Sequence, residues 1–524
     1  METLTEDVTV DYLVIGGGTA GCVVASRLSE DPTVTVALVE AGPTDANEPR
    51  AHSIRRWAEM LEGEYDLDYR SVPQERGNSF IRQARLRILG GCSTANTMIT
   101  WRPFRGDLDE WVSLGADGWD YETVSPYFDR LLAQVTPIPE ADRNPYLMDV
   151  IEAASAALDV PVRETWNDTE FLTGAGYFEI GYDPETNHRS SASYSYIRRG
   201  AQERDNLQLV LETLAERLII EDGRAVGAVL RSSAGQTTVV RARREVIVSC
   251  GAIDSPALLM RSGIGPRDVL EAAGIDVLVD LPGVGENLQD HAEGLVIWEA
   301  RSDRPTVRAT GWDAGYVITV DDDSTVPDVS THIPLDTWGV AAERYGAVLP
   351  ENNVSLVFNI AKPRSSGRVW ITSADPREVP SIDYRYFTDA EGRDERMLIA
   401  GARAARRVAA QEPFASHVVR EIFPGEHVQS DEGLSEALRA THQTVYHVSC
   451  TCKMGGDADP MAVLDAALRV RGVAGLRVVD ASSFPTISAL NPVGLVLTLA
   501  ERAADLIRAD AGESSGATLS ATAN

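Results

Sequence analysis

Cysteine is scarce: Cys22, Cys92, Cys250, Cys450 and Cys452 are the only five in 524 residues. Scattered this thinly, they cannot supply the disulfide framework of a small secreted protein. Cys450 and Cys452 form a C-x-C pair with no second Cys or His pair at ligand spacing, so no metal site is expected. Basic residues are also in deficit, with 48 Lys and Arg against 79 Asp and Glu, a formal charge of −31. Such a chain has no basic face for nucleic acid or for an anionic membrane surface, and neither partner is expected. No apolar run reaches the roughly 18 residues of a membrane span; the stretch after Pro492 is about half that. The opening METLTEDVTVDY is acidic and lacks the basic and apolar regions of a signal peptide. These absences point to a soluble protein of a reducing cytoplasm, its surplus acid mostly solvated surface with at most a weak pull on cationic solutes.

Hydrophobic residues make up 44% of the chain and charged residues 24%, the balance of a globular protein with a large core. At roughly 100–200 residues per domain the length allows two to four domains, or two large interleaved ones. The first informative stretch is DYLVIGGGTAGCVVASRLS, residues 11–29. Tyr12 to Ile15 reads as a buried strand and Ala20 to Leu28 as a helix, with Gly16, Gly18 and Gly21 between them in G-x-G-x-x-G spacing. A second apolar run, Val34 to Val39, ends at Glu40. Gly16 permits the tight turn, Gly18 the approach of backbone to a pyrophosphate, and Gly21 the close packing of helix on strand. The helix N-terminus offers unpaired N–H groups to that pyrophosphate. Glu40 can accept hydrogen bonds from a ribose and would repel a 2′-phosphate. This unit predicts a bound dinucleotide and suits a nicotinamide or a flavin equally well.

Farther on, strand-like and helix-like stretches alternate without a repeat. Asn206 to Ile220, Val226 to Arg231 and Glu245 to Ser249 read as strands, with a turn at Asp222-Gly223. Arg368 to Ile371 reads as a strand after a turn, and Glu395 to Gln411 as a helix. Near the end, Gly472 to Asp480 reads as a turn feeding a buried strand with an acid at its carboxyl end, and Asn491 to Ile507 as a helix. Ligands of open α/β sheets sit at the carboxyl ends of strands, so the C-terminal stretch is expected to return to the dinucleotide domain. The small, polar tail from Ala509 onward is expected to be disordered.

Several segments together resemble the glucose–methanol–choline (GMC) oxidoreductases. They are the N-terminal unit, LRILGGCSTAN (86–96), GAIDSPALLMRSGIG (251–265), PGVGENLQDH (282–291), DAS (480–482) and NP (491–492). The resemblance runs from about Asp11 to Ile507 in the family's order. Within the family it is greatest to the choline-oxidising members, through DLDEW (107–111) and TVYH (444–447).

The resemblance implies an α/β (α+β overall) architecture, with a Rossmann-type FAD-binding domain interleaved with a substrate domain built on an antiparallel sheet flanked by helices. The expected division is 1–155, 197–292 and 446–524 for the flavin, and 156–196 and 293–445 for the substrate. It also implies FAD contacts at Gly16, Gly18, Thr19, Ala20, Gly21, Glu40, Gly90, Gly91, Asn96, Thr97, Ala215, Asp480, Ala481, Asn491 and Pro492. His447 and Asn491 match the family's catalytic pair: a neutral imidazole would accept the hydroxyl proton, an imidazolium would stabilise the alkoxide, and the amide holds the alcohol oxygen. Asn491, just before Pro492, also suits a helix N-cap.

Trp57, Glu293, Trp312, His332 and Tyr446 fall where the choline-oxidising members place their substrate cage. Aromatic faces attract a quaternary ammonium, and Glu293 would supply the counter-charge if it is buried. One departure is plain: Ala95 stands where those members carry the histidine bonded to the flavin, so the FAD is expected to be non-covalent. Thr97 replaces a serine. The resulting expectation is an alcohol oxidase acting on choline or a similar amino alcohol with O2 as acceptor, in a homodimer. Neutral primary alcohols as substrates, and a carrier other than oxygen, stay open.

Overall fold

A computed structural model describes residues 6–168, 170–302, 309–336 and 338–512. The first layer is a sheet whose parallel core runs in the order Leu207–Val210, Val36–Val39, Val8–Ile15, Thr237–Val248 and Leu476–Val478. Both faces of this core are covered, so the strands are continuous apolar runs; Tyr12 to Ile15 and Val36 to Val39 are buried throughout. The helix Thr19–Leu28 packs across the turn after the first strand. A Cβ on Gly21 would fall 1.9 Å from the Gly16 carbonyl oxygen, so glycine alone allows that crossing. Leu476–Val478 returns to this sheet, pairing parallel with Thr237–Val248.

The stretch expected as one strand, Asn206 to Ile220, is two. Glu212 takes φ of 50° and donates its N–H to the Gly42 carbonyl, turning the chain at the carboxyl end of the sheet. Thr213–Glu221 then pairs antiparallel with Arg224–Ser232 through a turn in which Asp222 and Gly223 both have positive φ, the twist that suits a two-residue hairpin. This break sets Thr213 to Ala215 on the rim of the central cavity.

The second layer is an almost wholly antiparallel sheet in the order Val418–Phe423, Ala292–Ala300, Asn353–Ile360, Val329–His332, Ala314–Ile318, Gly174–Tyr177 and Val162–Arg163. Gln443–Thr444 pairs beside the start of Ala292–Ala300. Alternation along Ala292–Ala300 divides the two faces. Ala292, Val296 and Trp298 join a core with the helices Pro145–Leu158 and Arg393–Ala409. Leu295 and Ile297 pack instead with Trp57 and Trp312. That alternation turns Glu293 toward the cavity rather than the helices.

The helix expected over Asn491 to Ile507 runs Val493–Asp510, and Pro492 rather than Asn491 stands at its N-cap with no capping side chain. Ala509 and Asp510 are therefore helical, and the remainder of the expected disordered tail lies, beyond residue 512, outside the described residues. Among the described residues no helix is long and apolar enough to cross a membrane. All five cysteines are free.

Candidate active site

A cavity of about 560 Å³ runs between the two layers. One end is lined by Gly16, Gly18, Thr19, Ala20 and Glu40, the other by Trp57, Glu293, Trp312, His332, Tyr446, His447 and Asn491. Gly91, Ala95, Asn96, Thr97, Ala215, Asp480, Ala481 and Pro492 line it as well. Gly21 and Gly90 are not on its wall. Gly21 serves the helix–strand contact, and Gly90, at φ of 96°, turns the chain where a Cβ would meet the Ser193 Oγ at 2.5 Å.

At the nucleotide end Glu40 is buried, and its two oxygens accept from the backbone N–H groups of Gly17 (2.9 Å) and Gly42 (2.7 Å). Burial pushes its carboxyl up to about 7, against the pull of those two hydrogen bonds. No side chain caps the helix Thr19–Leu28, whose first N–H groups adjoin the cavity at Gly18 and Thr19. Asp480 lines the wall, but its carboxylate is engaged by the protein. One oxygen accepts from Gly251 N–H and the Ser255 hydroxyl, the other from Ser482 N–H.

At the other end a chain of hydrogen bonds fixes the tautomer of His447. The His291 Nε2 lies 2.9 Å from the Ser488 carbonyl oxygen, which can only accept, so His291 carries its proton there. Its Nδ1 is then an acceptor, and the His447 Nδ1, 2.9 Å away, is the donor. The His447 Nε2 is left as an acceptor and takes a long hydrogen bond from the Asn491 Nδ2, at 3.4 Å. Burial, with His291, His332 and Arg85 adding repulsion, holds His447 well below the ordinary imidazole range, so it is a neutral base at neutral pH. Asn491 is oriented as strictly: its Oδ1 accepts from the Trp101 indole at 2.9 Å, which turns its NH2 toward His447. Both residues thus face one point, as an acceptor and a donor. Tyr446, which precedes His447, adopts φ of 64°, a left-handed conformation uncommon for a residue with a Cβ. The Arg85 guanidinium bonds its carbonyl at 2.9 Å, and the Thr444 hydroxyl accepts its N–H at 2.8 Å.

The cage residues converge on the same point. Trp57 and Trp312 meet edge to face at 6.2 Å between ring centroids, and Trp312 and His332 lie at 6.2 Å. The Thr310 backbone seats Trp57 through its indole N–H at 2.9 Å, while the Thr310 hydroxyl accepts the Trp312 N–H at 3.0 Å. Glu293 is 3% exposed, and its Oε1 accepts from the Trp338 indole at 2.8 Å. Burial raises this carboxyl to about 8; the Trp338 hydrogen bond opposes the rise and the nearby Asp290 adds to it. Burial likewise holds the His332 imidazole down to about 4, with a smaller opposing effect from Asn491.

Residues 10–293 match the N-terminal and residues 363–500 the C-terminal model of the GMC oxidoreductases. The chain is 44% identical to the choline oxidase of Arthrobacter globiformis, over 97% of this chain and 96% of the relative. It is 34% identical to the oxygen-dependent choline dehydrogenase of Photobacterium profundum, over 95% and 93% of the two. The crystal structure of pyridoxine 4-oxidase from Mesorbium loti superposes with a TM-score of 0.88 at 29% identity, over 95% of this chain and 98% of that one. The chain is a GMC oxidoreductase.

As a GMC oxidoreductase it is an FAD-dependent enzyme. The residues present fit that cofactor. The wall at Gly18 has no Cβ between the cavity and the uncapped helix N-terminus, where a pyrophosphate gains most. Glu40, held by two backbone amides, keeps lone pairs for a ribose. Ala95 is buried on the same wall and presents only a methyl group.

Sequence reasoning missed four residues of this GMC site. His291 lies at the end of the PGVGENLQDH segment, and its adjacency to His447 was the one signal a motif could have carried. Trp101, Arg85 and Trp338 belong to no motif; their roles come from the direction of single N–H bonds.

Proposed function

We propose that this GMC enzyme oxidises the primary alcohol of choline, or of a cationic amino alcohol of similar shape, to the aldehyde, with O2 as the terminal acceptor. The observation that carries this is Glu293: a carboxylate buried at the end of an aromatic cavity, with no cation of the protein paired to it among the described residues. Removing a charge from water costs several kcal/mol unless it is paired, and a cationic ligand offsets that cost. The faces of Trp57, Trp312 and Tyr446 add the attraction of aromatic rings for a quaternary ammonium, about 0.5–2 kcal/mol each. The names of the relatives, choline oxidase and choline dehydrogenase, support the same substrate class.

Bound FAD supplies the two-electron acceptor for the hydrogen lost from the alcohol carbon. Gly18, Thr19 and Ala20 would hold its pyrophosphate and Glu40 its ribose. Ala95, where the resemblance places the flavin-linking histidine, offers only a methyl group, so we take the FAD to be non-covalent. In the reaction the His447 Nε2 accepts the hydroxyl proton, and the Asn491 NH2 donates to the alkoxide oxygen as charge develops there. The His447 Nδ1–H stays directed at the His291 Nδ1, which stabilises the imidazolium formed. Glu293 and the tryptophans hold the ammonium end, fixing the distance from cation to hydroxyl.

The test is the anaerobic absorbance of the purified yellow protein near the flavin band, before and after choline. Bleaching supports the reading. A protein that choline leaves yellow but a neutral primary alcohol bleaches keeps the enzyme class and sinks the cationic substrate.

A further inference from the structure

The tryptophan that meets Glu293 lies outside every motif of the chain. Trp338 sits in the loop after the strand Val329–His332 and is half-buried, edge-on to Trp312 at 5.1 Å and 87°. Packing alone would be served as well by phenylalanine. What the indole adds is its N–H, 2.8 Å from the Glu293 Oε1. The second carboxylate oxygen accepts no hydrogen bond from any described residue, and Glu293 lines the cavity.

We propose that Trp338 is the specificity-determining positioning residue of this site: its indole N–H anchors one oxygen of Glu293 and leaves the other facing a cationic substrate. The inference rests on the cationic-substrate reading above. An unanchored Glu293 could rotate, or take up a proton and present an O–H, and in neither state would it hold an ammonium group. The surroundings leave the task to Trp338. Cross-strand neighbours Asn359 and Gln443 are neutral amides, and Trp57, Trp312 and His332 are uncharged at neutral pH. The facing titratable groups, Asp290 and the Tyr446 phenol, add only negative charge when ionised. Among the groups acting on Glu293, Trp338 is the one that favours its carboxylate.

The test compares wild-type and Trp338→Phe holoenzymes on choline and on its uncharged isostere 3,3-dimethylbutan-1-ol, from about pH 6 to about pH 10, a range that brackets the Glu293 titration. Losing a hydrogen bond to a charged group should lower kcat/KM for choline about tenfold at neutral pH, mostly through KM, and move its rise with pH upward by about one unit. The deficit should close at high pH, and the loss on the isostere, which carries no charge for Glu293 to hold, should be well below that on choline, while the flavin-to-protein absorbance ratio reports an intact fold and flavin. A variant with an unmoved pH profile for choline, or with equal losses on both alcohols, overturns the proposal in favour of packing. A wild-type enzyme that does not prefer choline to the isostere overturns the substrate reading, and this inference with it.

Discussion

Replacing Glu293 by glutamine removes the charge and keeps the shape, which makes its effect on the choline-to-isostere ratio the most informative measurement on this enzyme. An ammonium nitrogen about 4.5 Å from the carboxylate, at an effective dielectric of about 20, gains roughly 3.7 kcal/mol, a factor of a few hundred. Above about pH 8 the carboxyl is already ionised and the whole factor should appear in kcat/KM. One unit lower, ionising it first costs about 1.4 kcal/mol, so the preference should fall about tenfold, to tens. The sign follows from the direction of the shift: burial raises this acid, so its charge, and the affinity for a cation, are lost as pH falls. His447, depressed well below the imidazole range, contributes no limb near neutrality. The assay is steady-state oxygen uptake with choline and 3,3-dimethylbutan-1-ol at several pH values. Glu293→Gln should bring the ratio to within about tenfold of unity, the residue of cation–π attraction, and flatten its pH dependence. A variant that keeps the wild-type ratio, or a wild-type ratio that does not change with pH, refutes the reasoning.

Three further outcomes are expected. His447→Ala should lower kcat by about 10²–10⁴-fold with choline while the flavin stays bound, as stopped-flow reduction and the visible spectrum would report. Gly21→Ala must place a methyl group 1.9 Å from the Gly16 carbonyl oxygen, so the variant should purify with little flavin or not fold, read from the ratio of flavin to protein absorbance. Acid or detergent denaturation should release all the yellow colour into the filtrate; colour retained on the polypeptide would contradict a non-covalent FAD.

Much of the nucleotide end was legible in the chain because its parts are neighbours. Gly16, Gly18 and Gly21 shape one turn and one helix start, and the next strand delivers Glu40 24 residues after Gly16, so spacing alone implies the geometry. The resemblance supplied His447, Asn491 and the cage, and the cavity gathers them at one end. The boundaries that shifted did so for tertiary reasons: Glu212 breaks a strand because its N–H is claimed by Gly42, far back in the chain.

The chemistry of the alcohol end was decided by folding. Nothing local to His447 says which ring nitrogen bears the proton; that comes from His291 and, through it, the Ser488 carbonyl. Trp101, distant in sequence, sets which way the Asn491 amide points. Glu293 faces the cavity because the sheet's alternation turns the odd positions of its strand that way, and only burial makes its charge need a partner. A composition or a motif states which groups are present. Hydrogen-bond direction, and the dielectric around a charge, exist only once segments remote in the chain have been packed against one another.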